Sequence, residues 1–297
     1  MSKSISNSHL LLLDGATGTE LDRRGVYVGL PLWSAGAMDT APEVLKEVHL
    51  AYLNAGADAV TTNTFRTHER SLAKAGLGDR AEELTKKAVV IAQAACAEAG
   101  KQALVLGGVA PLEDCYRPDL TPDPETCYKE HSQMIQYLVD GGVDLIWIET
   151  MCAAHETLAA AQAAQNIAPG RWGVCFCFTS QGAPGVLLDG TPVEQIIPEL
   201  DKATVLGINC MSATILADQV SHLRHLVPDE VAIAAYGNVG YANPDGSWVI
   251  TDAVEPAQFA VYARQWHDAG ANLIGGCCGT TPETIQAIKK ANFRNTD

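Results

Sequence analysis

Cys277 and Cys278 stand side by side in "LIGGCCGTTPET", residues 273–284, with glycines before and after them. A third cysteine, Cys210, closes the apolar run "VLGINC". Adjacent cysteines suit a packed strand badly and are open to oxidation, so their presence calls for a chemical use. Successive strand residues point to opposite faces, and two neighbours aim at one point only where the strand breaks. Gly275, Gly276 and Gly279 supply the freedom for such a break. Three thiolates around one ion, with a fourth position open, make a catalytic zinc site. Thiolate donors leave zinc little Lewis acidity for activating water. They suit a substrate thiol, whose pKa of about 8.5 falls on zinc binding so that the thiolate forms at neutral pH. The expected reaction is attack by that sulfur on an activated carbon. Two other readings stand beside this one. Three thiols can pack as small hydrophobes, or "GGCCGTTPE" can cradle a phosphate at a helix start marked by Thr280, Thr281 and Pro282. The phosphate reading leaves the cysteine pair without a use.

The elements that must position these thiols are legible as eight short apolar runs. They are "LLLLDG" (10–15), "DAVTTNTF" (58–65), "ALVLGGVAP" (103–111), "DLIWIET" (144–150), "WGVCFCF" (172–178), "VLGINC" (205–210), "AIAAYGN" (232–238) and "NLIGGCCG" (272–279). Most are too short for helices and rich in Val, Ile, Leu and Trp, as strands buried on both faces are. Helical patterns lie between them, such as "APEVLKEVHLAYLNAG", with proline at its start and glycine at its end. Strand–helix alternation without a linker predicts an α/β protein, a (βα)8 TIM barrel in one domain over residues 1–297. A doubly wound open sheet is the alternative, but the first run is not followed by G-x-G-x-x-G. Barrel enzymes carry their sites at the C-terminal strand ends. Asp14, Thr62–Phe65, Glu149, Cys210, Asn238 and Cys277–Cys278 are therefore expected at one mouth.

Composition narrows the chemistry. A formal net charge of -15 excludes nucleic-acid binding, which needs a basic surface. No apolar stretch approaches the roughly 20 residues of a membrane helix. The N-terminal four-leucine run is shorter than the roughly 7 to 15 apolar residues of a secretory signal, so no export is expected. Nine cysteines, an odd number scattered through apolar runs, favour free thiols or metal ligands in a cytoplasmic protein. Cys175 and Cys177 are expected to share a face of the fifth strand as core residues. "CAAH", Cys152 to His155, has ligand-like spacing at a helix start, where capping and packing are the commoner explanation. Cys96, Cys115 and Cys127 read as structural or incidental. Lys101 and Lys202 precede the third and sixth strands, the wrong end for a Schiff-base aldolase. Asp14 and Glu149, at the ends of the first and fourth runs, can hold a substrate ammonium; a turn or cap for Asp14 and a loop salt bridge for Glu149 are equally consistent with their positions.

"LLLDGATGTEL", "TTNTF", "LIWIET", "GINC" and "GGCCGT", in that order across nearly the whole chain, resemble the homocysteine S-methyltransferases. That family includes S-methylmethionine- and betaine-dependent enzymes and the homocysteine module of cobalamin-dependent methionine synthase. The resemblance implies that Cys210, Cys277 and Cys278 bind zinc, with homocysteine sulfur as the fourth ligand. It implies that Asp14, the Gly15 backbone and Glu149 bind the amino-acid end, and that the product is methionine. Trp33, in "PLWSAG", matches a donor-site tryptophan of the family. Arg66 and Thr150 stand where the betaine-dependent enzymes carry tyrosines. A cationic Arg66 is a poor neighbour for a trimethylammonium but can pair with a donor carboxylate. The expected donor is therefore a small sulfonium, S-methylmethionine or S-adenosylmethionine, with Trp33, Arg66 and Asn238 as candidate donor-binding residues and betaine as the alternative. A non-catalytic zinc- or thiol-binding barrel used as a sensor is the other class; such a module has no need of Asp14 and Glu149.

Overall fold

The computed structural model describes residues 10–242, 247–291 and 293. The first nine residues of the N-terminal stretch examined for an export signal lie outside them. All eight expected strands form: β1 (Leu11–Leu12), β2 (Ala59–Thr61), β3 (Leu104–Val109), β4 (Leu145–Met151), β5 (Trp172–Phe176), β6 (Val205–Ser212), β7 (Ala232–Asn238) and, last in the barrel, β10 (Leu273–Gly276). They pair in parallel in the order β1-β10-β7-β6-β5-β4-β3-β2, a nearly closed (βα)8 TIM barrel. An antiparallel hairpin, β8 (Gly240–Ala242) and β9 (Trp248–Ile250), rises between β7 and β10. No described helix is long and apolar enough to cross a membrane.

Two aspartates complete the seam between β1 and β2. Asp58 N donates to Leu12 O at 2.7 Å, and the Asp58 carboxylate accepts from Leu12 N at 3.0 Å. One step higher the Asp14 carboxylate accepts from Thr61 N at 2.8 Å. Side chains thus take the backbone groups that a short β1 leaves unpaired, as buried N–H groups require.

Strand alternation divides the core. Leu104 and Leu106 of β3, Leu145 and Trp147 of β4, and Ala232, Ala234 and Tyr236 of β7 meet inside the barrel. A larger apolar layer lies between strands and helices. The helices that cover it are α3 (Pro42–Ala55), α5 (Ala81–Ala99), α6 (Pro124–Gly141), α7 (Ala154–Ile167), α8 (Leu216–Leu226), α9 (Pro256–Asp268) and α10 (Pro282–Ala291), with α1 (Thr17–Arg23), α2 (Ala37–Thr40) and α4 (Glu69–Ala73) as short additions. Asp123 caps α6 by accepting from Glu125 N and Thr126 N, and Pro124 occupies its first turn, where a missing N–H costs nothing. One strand–helix unit departs from expectation. The connection from β5 to β6 carries only 3-10 turns, Val193–Gln195 and Ile197–Leu200. Pro192 precedes the first turn and Pro198 lies within the second, and an interior proline interrupts an α-helix.

Cys175 and Cys177 also depart from expectation. Both are buried, but Cys175 belongs to the barrel interior and Cys177 to the outer layer. β5 ends at Phe176, so period-2 alternation no longer governs Cys177.

His49, on α3, is wholly buried and neither ring nitrogen meets a partner. Burial pulls its pKa from 6.5 down to about 4. The unfolded chain takes up this proton first, so stability falls as pH drops below 6.5 toward 4. The loss from this residue is about 2 kcal/mol at pH 5. Urea melts at pH 7 and pH 5 are expected to show that the His49→Leu protein loses less stability between the two than wild type.

Candidate active site

The thiols meet where the strand geometry is broken. Among the described residues, Cys210, Cys277 and Cys278 form the one group of potential metal ligands, with their sulfurs all within 4.8 Å of one another. Tetrahedral zinc ligands with sulfur–zinc bonds of about 2.3 Å stand roughly 3.8 Å apart, so the trio fits the ion after small rotations. β10 stops at Gly276, and Cys277 and Cys278 occupy the turn beyond it. Cys277 N donates to Gly237 O (2.8 Å), and Thr280 N donates back to Cys277 O (3.1 Å). Of the three glycines expected to free this turn, Gly279 alone has the left-handed backbone, at φ +81. Gly275 is required by space instead: a Cβ there would lie 2.6 Å from Leu13 Cβ.

Neighbours prepare Cys210 to be a thiolate. Cys277, Cys278, Tyr116 and Asn238 direct hydrogen bonds toward its sulfur and hold its pKa well below that of an ordinary thiol. The same contact pushes Cys277 and Cys278 up. Tyr116 Oη lies 3.1 Å from Cys210 Sγ, and Asn238 Nδ2 lies 3.9 Å away. Asn238 Oδ1 also accepts from Cys278 N at 3.0 Å. Asn238, a candidate donor-binding residue, is buried, and its amide braces two of the cysteines. Cys152 and His155 do not converge as ligands, because His155 Nε2 contacts Pro122 O at 2.9 Å.

Two carboxylates face the thiols across a cavity of about 550 Å³. Leu145 and Trp147 point inward on β4, and Glu149 continues their face. Its carboxylate accepts from the Tyr236 hydroxyl (3.4 Å), which in turn accepts from Trp147 Nε1 (2.9 Å). Burial, followed by the charges of Asp14 and Cys210, raises the Glu149 pKa to about 8. Burial raises Asp14 to about 7 against the opposing bonds from Thr61. Buried acids without a countercharge are primed for a cation, whose arrival favours their ionised forms.

The loop carrying Asp14 is knitted to the cysteine loop. Ala16 N donates to Thr280 Oγ1 (3.1 Å), which donates to Cys277 O (2.7 Å). Gly279 N donates to Thr19 Oγ1 (3.0 Å). The Tyr52 hydroxyl lies within hydrogen-bond reach of both Ala16 O and Thr280 O. "DGATGTE" and "GGCCGTT" are therefore two halves of one support. Gly15, Trp33 and Arg66 line the same cavity. Asn63, from "TTNTF", fastens the Trp33 segment by donating to Ser34 O at 2.8 Å. Arg66 is half-buried and forms no ion pair with any described residue.

Tyr236, Tyr116, Asp114 and Trp248, none of them singled out from the sequence, also line the cavity, and so does Cys115, which was expected to be structural or incidental. Tyr236 was accessible to counting, since Ala232, Ala234 and Tyr236 fall on one face of β7. Tyr116 arrives on the β3–α6 loop and Trp248 on the hairpin, where no periodicity marks direction.

The model of the homocysteine S-methyltransferase family matches residues 11–292. The chain is 34% identical to the homocysteine S-methyltransferase of Escherichia coli (strain K12), over 96% of each protein. It is 29% identical to the selenocysteine methyltransferase of Astragalus bisulcatus, covering 94% of this chain and 91% of that one. Its fold is similar to that of the metallated form of the homocysteine methyltransferase MmuM from Escherichia coli, with a TM-score of 0.81 and 33% identity over 96% of this chain and 97% of the other.

Proposed function

The chain belongs to the homocysteine S-methyltransferase family, and from that premise we propose that it transfers a methyl group from a small sulfonium donor to homocysteine sulfur, with zinc held by Cys210, Cys277 and Cys278. The observation that carries this reading is the meeting of three thiols and two buried carboxylates without a countercharge on one cavity. The thiol trio fits the metal, and the relative in metallated form supports the assignment. Zinc, when bound, would hold the substrate sulfur as thiolate at neutral pH.

The chain's own residues do the rest. Asp14 and Glu149, with the Gly15 backbone beside them, grip the ammonium end of homocysteine. This fixes the sulfur near the thiols and facing the rim. Trp33, with Tyr116 and Trp248, offers aromatic faces to a cationic donor. Arg66 is placed to pair with the donor's carboxylate. The homocysteine sulfur, having lost its proton, attacks the donor methyl carbon. One carbon–sulfur bond forms as the donor's breaks, and that bond's electron pair neutralises the donor sulfonium. Alignment of sulfur, methyl and leaving sulfur supplies much of the acceleration. All nine cysteines are free, which supports a reducing, cytoplasmic setting.

The test supplies homocysteine with S-methylmethionine, S-adenosylmethionine or betaine and follows methionine. Turnover with a sulfonium and none with betaine is expected. The Arg66→Gln protein should show a donor KM raised roughly tenfold or more, the scale of a charge-assisted hydrogen bond. Turnover with betaine alone overturns the donor assignment, and no methionine from any donor overturns the reaction.

A further inference from the structure

Three non-glycine residues at the site hold a left-handed backbone: Trp33 has φ +50, Thr150, immediately after Glu149, has φ +62, and Cys210 has φ +59. The last two each coincide with a slip in a ladder. Ile148 to Met151 of β4 step past only Val174 to Phe176 of β5. Asn209 to Ser212 of β6 likewise step past only Tyr236 to Asn238 of β7. An extra residue is rare in a parallel ladder, and where it occurs it re-aims side chains. The re-aiming is needed here. On regular alternation Val205, Gly207 and Asn209 share the inward face, and Cys210 would point away from the other thiols.

The two slips are tied together. Asn209 Oδ1 accepts from Thr150 N at 2.8 Å, and Asn209 Nδ2 donates to Thr150 Oγ1 at 2.7 Å. The side chain reaches from β6 past β5 to β4, and both residues are buried. One amide thus holds the residue after Glu149 while belonging to the residue before Cys210. The carboxylate that faces the substrate ammonium and the thiol that faces its sulfur are set on a single brace.

We infer that the Asn209–Thr150 pair is a positioning device that fixes the separation of Glu149 and Cys210, and so selects an amino thiol with two methylenes between α-carbon and sulfur over one with a single methylene. The inference rests on the homocysteine reading above. Removing one methylene draws the sulfur back by more than 1 Å, and a misplacement of about 1 Å costs on the order of a hundredfold at a rigid site. A loose site adapts to the shorter chain and discriminates less. The selenocysteine methyltransferase among the relatives is named for an amino acid of that shorter length, which makes chain length the variable to test.

The experiment titrates zinc-loaded protein with homocysteine and with cysteine by calorimetry, without donor, for wild type and for Thr150→Ala, Thr150→Ser and Asn209→Ala. Zinc content and circular dichroism are measured alongside. Wild type is expected to prefer homocysteine. Thr150→Ala should lower that preference at least tenfold while keeping its zinc, Asn209→Ala should lower it further, and Thr150→Ser, which retains the hydroxyl, should restore it. If Asn209→Ala does not fold, Thr150→Ala decides. An unchanged preference in folded Thr150→Ala overturns the device and leaves the homocysteine reading intact. Loss of zinc from that variant overturns it too, because the pair would then serve the thiols alone. Wild type that binds neither thiol overturns both readings.

Discussion

The Cys278→Ala protein, purified under reducing conditions, is expected to hold no zinc and to form methionine on the order of a thousandfold more slowly than wild type. Two losses multiply to give that figure. Without the metal only about 3% of a thiol with pKa 8.5 is ionised at pH 7, a loss of roughly thirtyfold. A sulfur no longer fixed for in-line attack loses about another hundredfold. The fold should survive, because Cys278 is half-buried in a turn held by backbone contacts to Gly237 and Thr280 and contributes little to the apolar layers. Elemental analysis beside circular dichroism separates the metal from the scaffold. A folded, zinc-free Cys278→Ala protein with full activity would sink the proposed chemistry. Retention of one zinc per chain would mean that another group, Cys115 or Tyr116 being the nearest candidates on the cavity wall, replaces the missing ligand.

The burden on those three thiols explains why the barrel breaks its own regularity at the mouth. A strand delivers alternate side chains to one face, and that rule alone brings Glu149 inside after Leu145 and Trp147. It cannot bring Cys210 to the same cavity after Asn209, nor two adjacent cysteines to one point. The chain meets the first need with a slipped ladder and φ +59 at Cys210, and the second by ending β10 before Cys277 and bending at Gly279. Non-glycine residues in that backbone region cost of order 1–3 kcal/mol each and persist where the surroundings enforce them.

The same distinction separates what could be read in the sequence from what could not. The eight strands, Asp14, Glu149 and the three cysteines lie in contiguous runs whose composition and order carry their meaning. The brace from Asn209 to Thr150 joins residues 59 positions apart across an intervening strand, and no spacing rule marks it. Asn238 was expected at the mouth because it ends a strand, but its contacts to Cys210 and Cys278, beside the slip between β6 and β7, had no mark in the sequence. The missing helix before β6 was foreshadowed by Pro192 and Pro198, a local signal outweighed by the expectation of regular alternation.

Glu149→Gln is expected to raise the homocysteine KM by roughly 10- to 100-fold, the worth of a charge-assisted hydrogen bond lost from a buried site, with kcat little changed. In the proposed complex the carboxylate meets the ammonium, remote from the migrating methyl, so its contribution would be the same in ground and transition states. Its pH signature follows from the sign of the shifts. In the free enzyme Glu149 titrates near 8 and Asp14 near 7, and only their ionised forms attract the ammonium. The wild-type KM should therefore climb as pH falls through 8 and then 7, by up to about tenfold per unit for each proton that must leave. Glu149→Gln should leave only the break near 7. Stability should move the other way. A carboxyl whose folded pKa lies above its unfolded value costs nothing at low pH and an increasing amount as pH rises to about 8. The free Glu149→Gln protein should then melt at a higher temperature than wild type at pH 8 and above, while binding its substrate less well. A variant with unchanged KM removes Glu149 from substrate binding. One that binds poorly and also melts lower would make Glu149 a structural carboxylate, held for Tyr236 rather than for an ammonium.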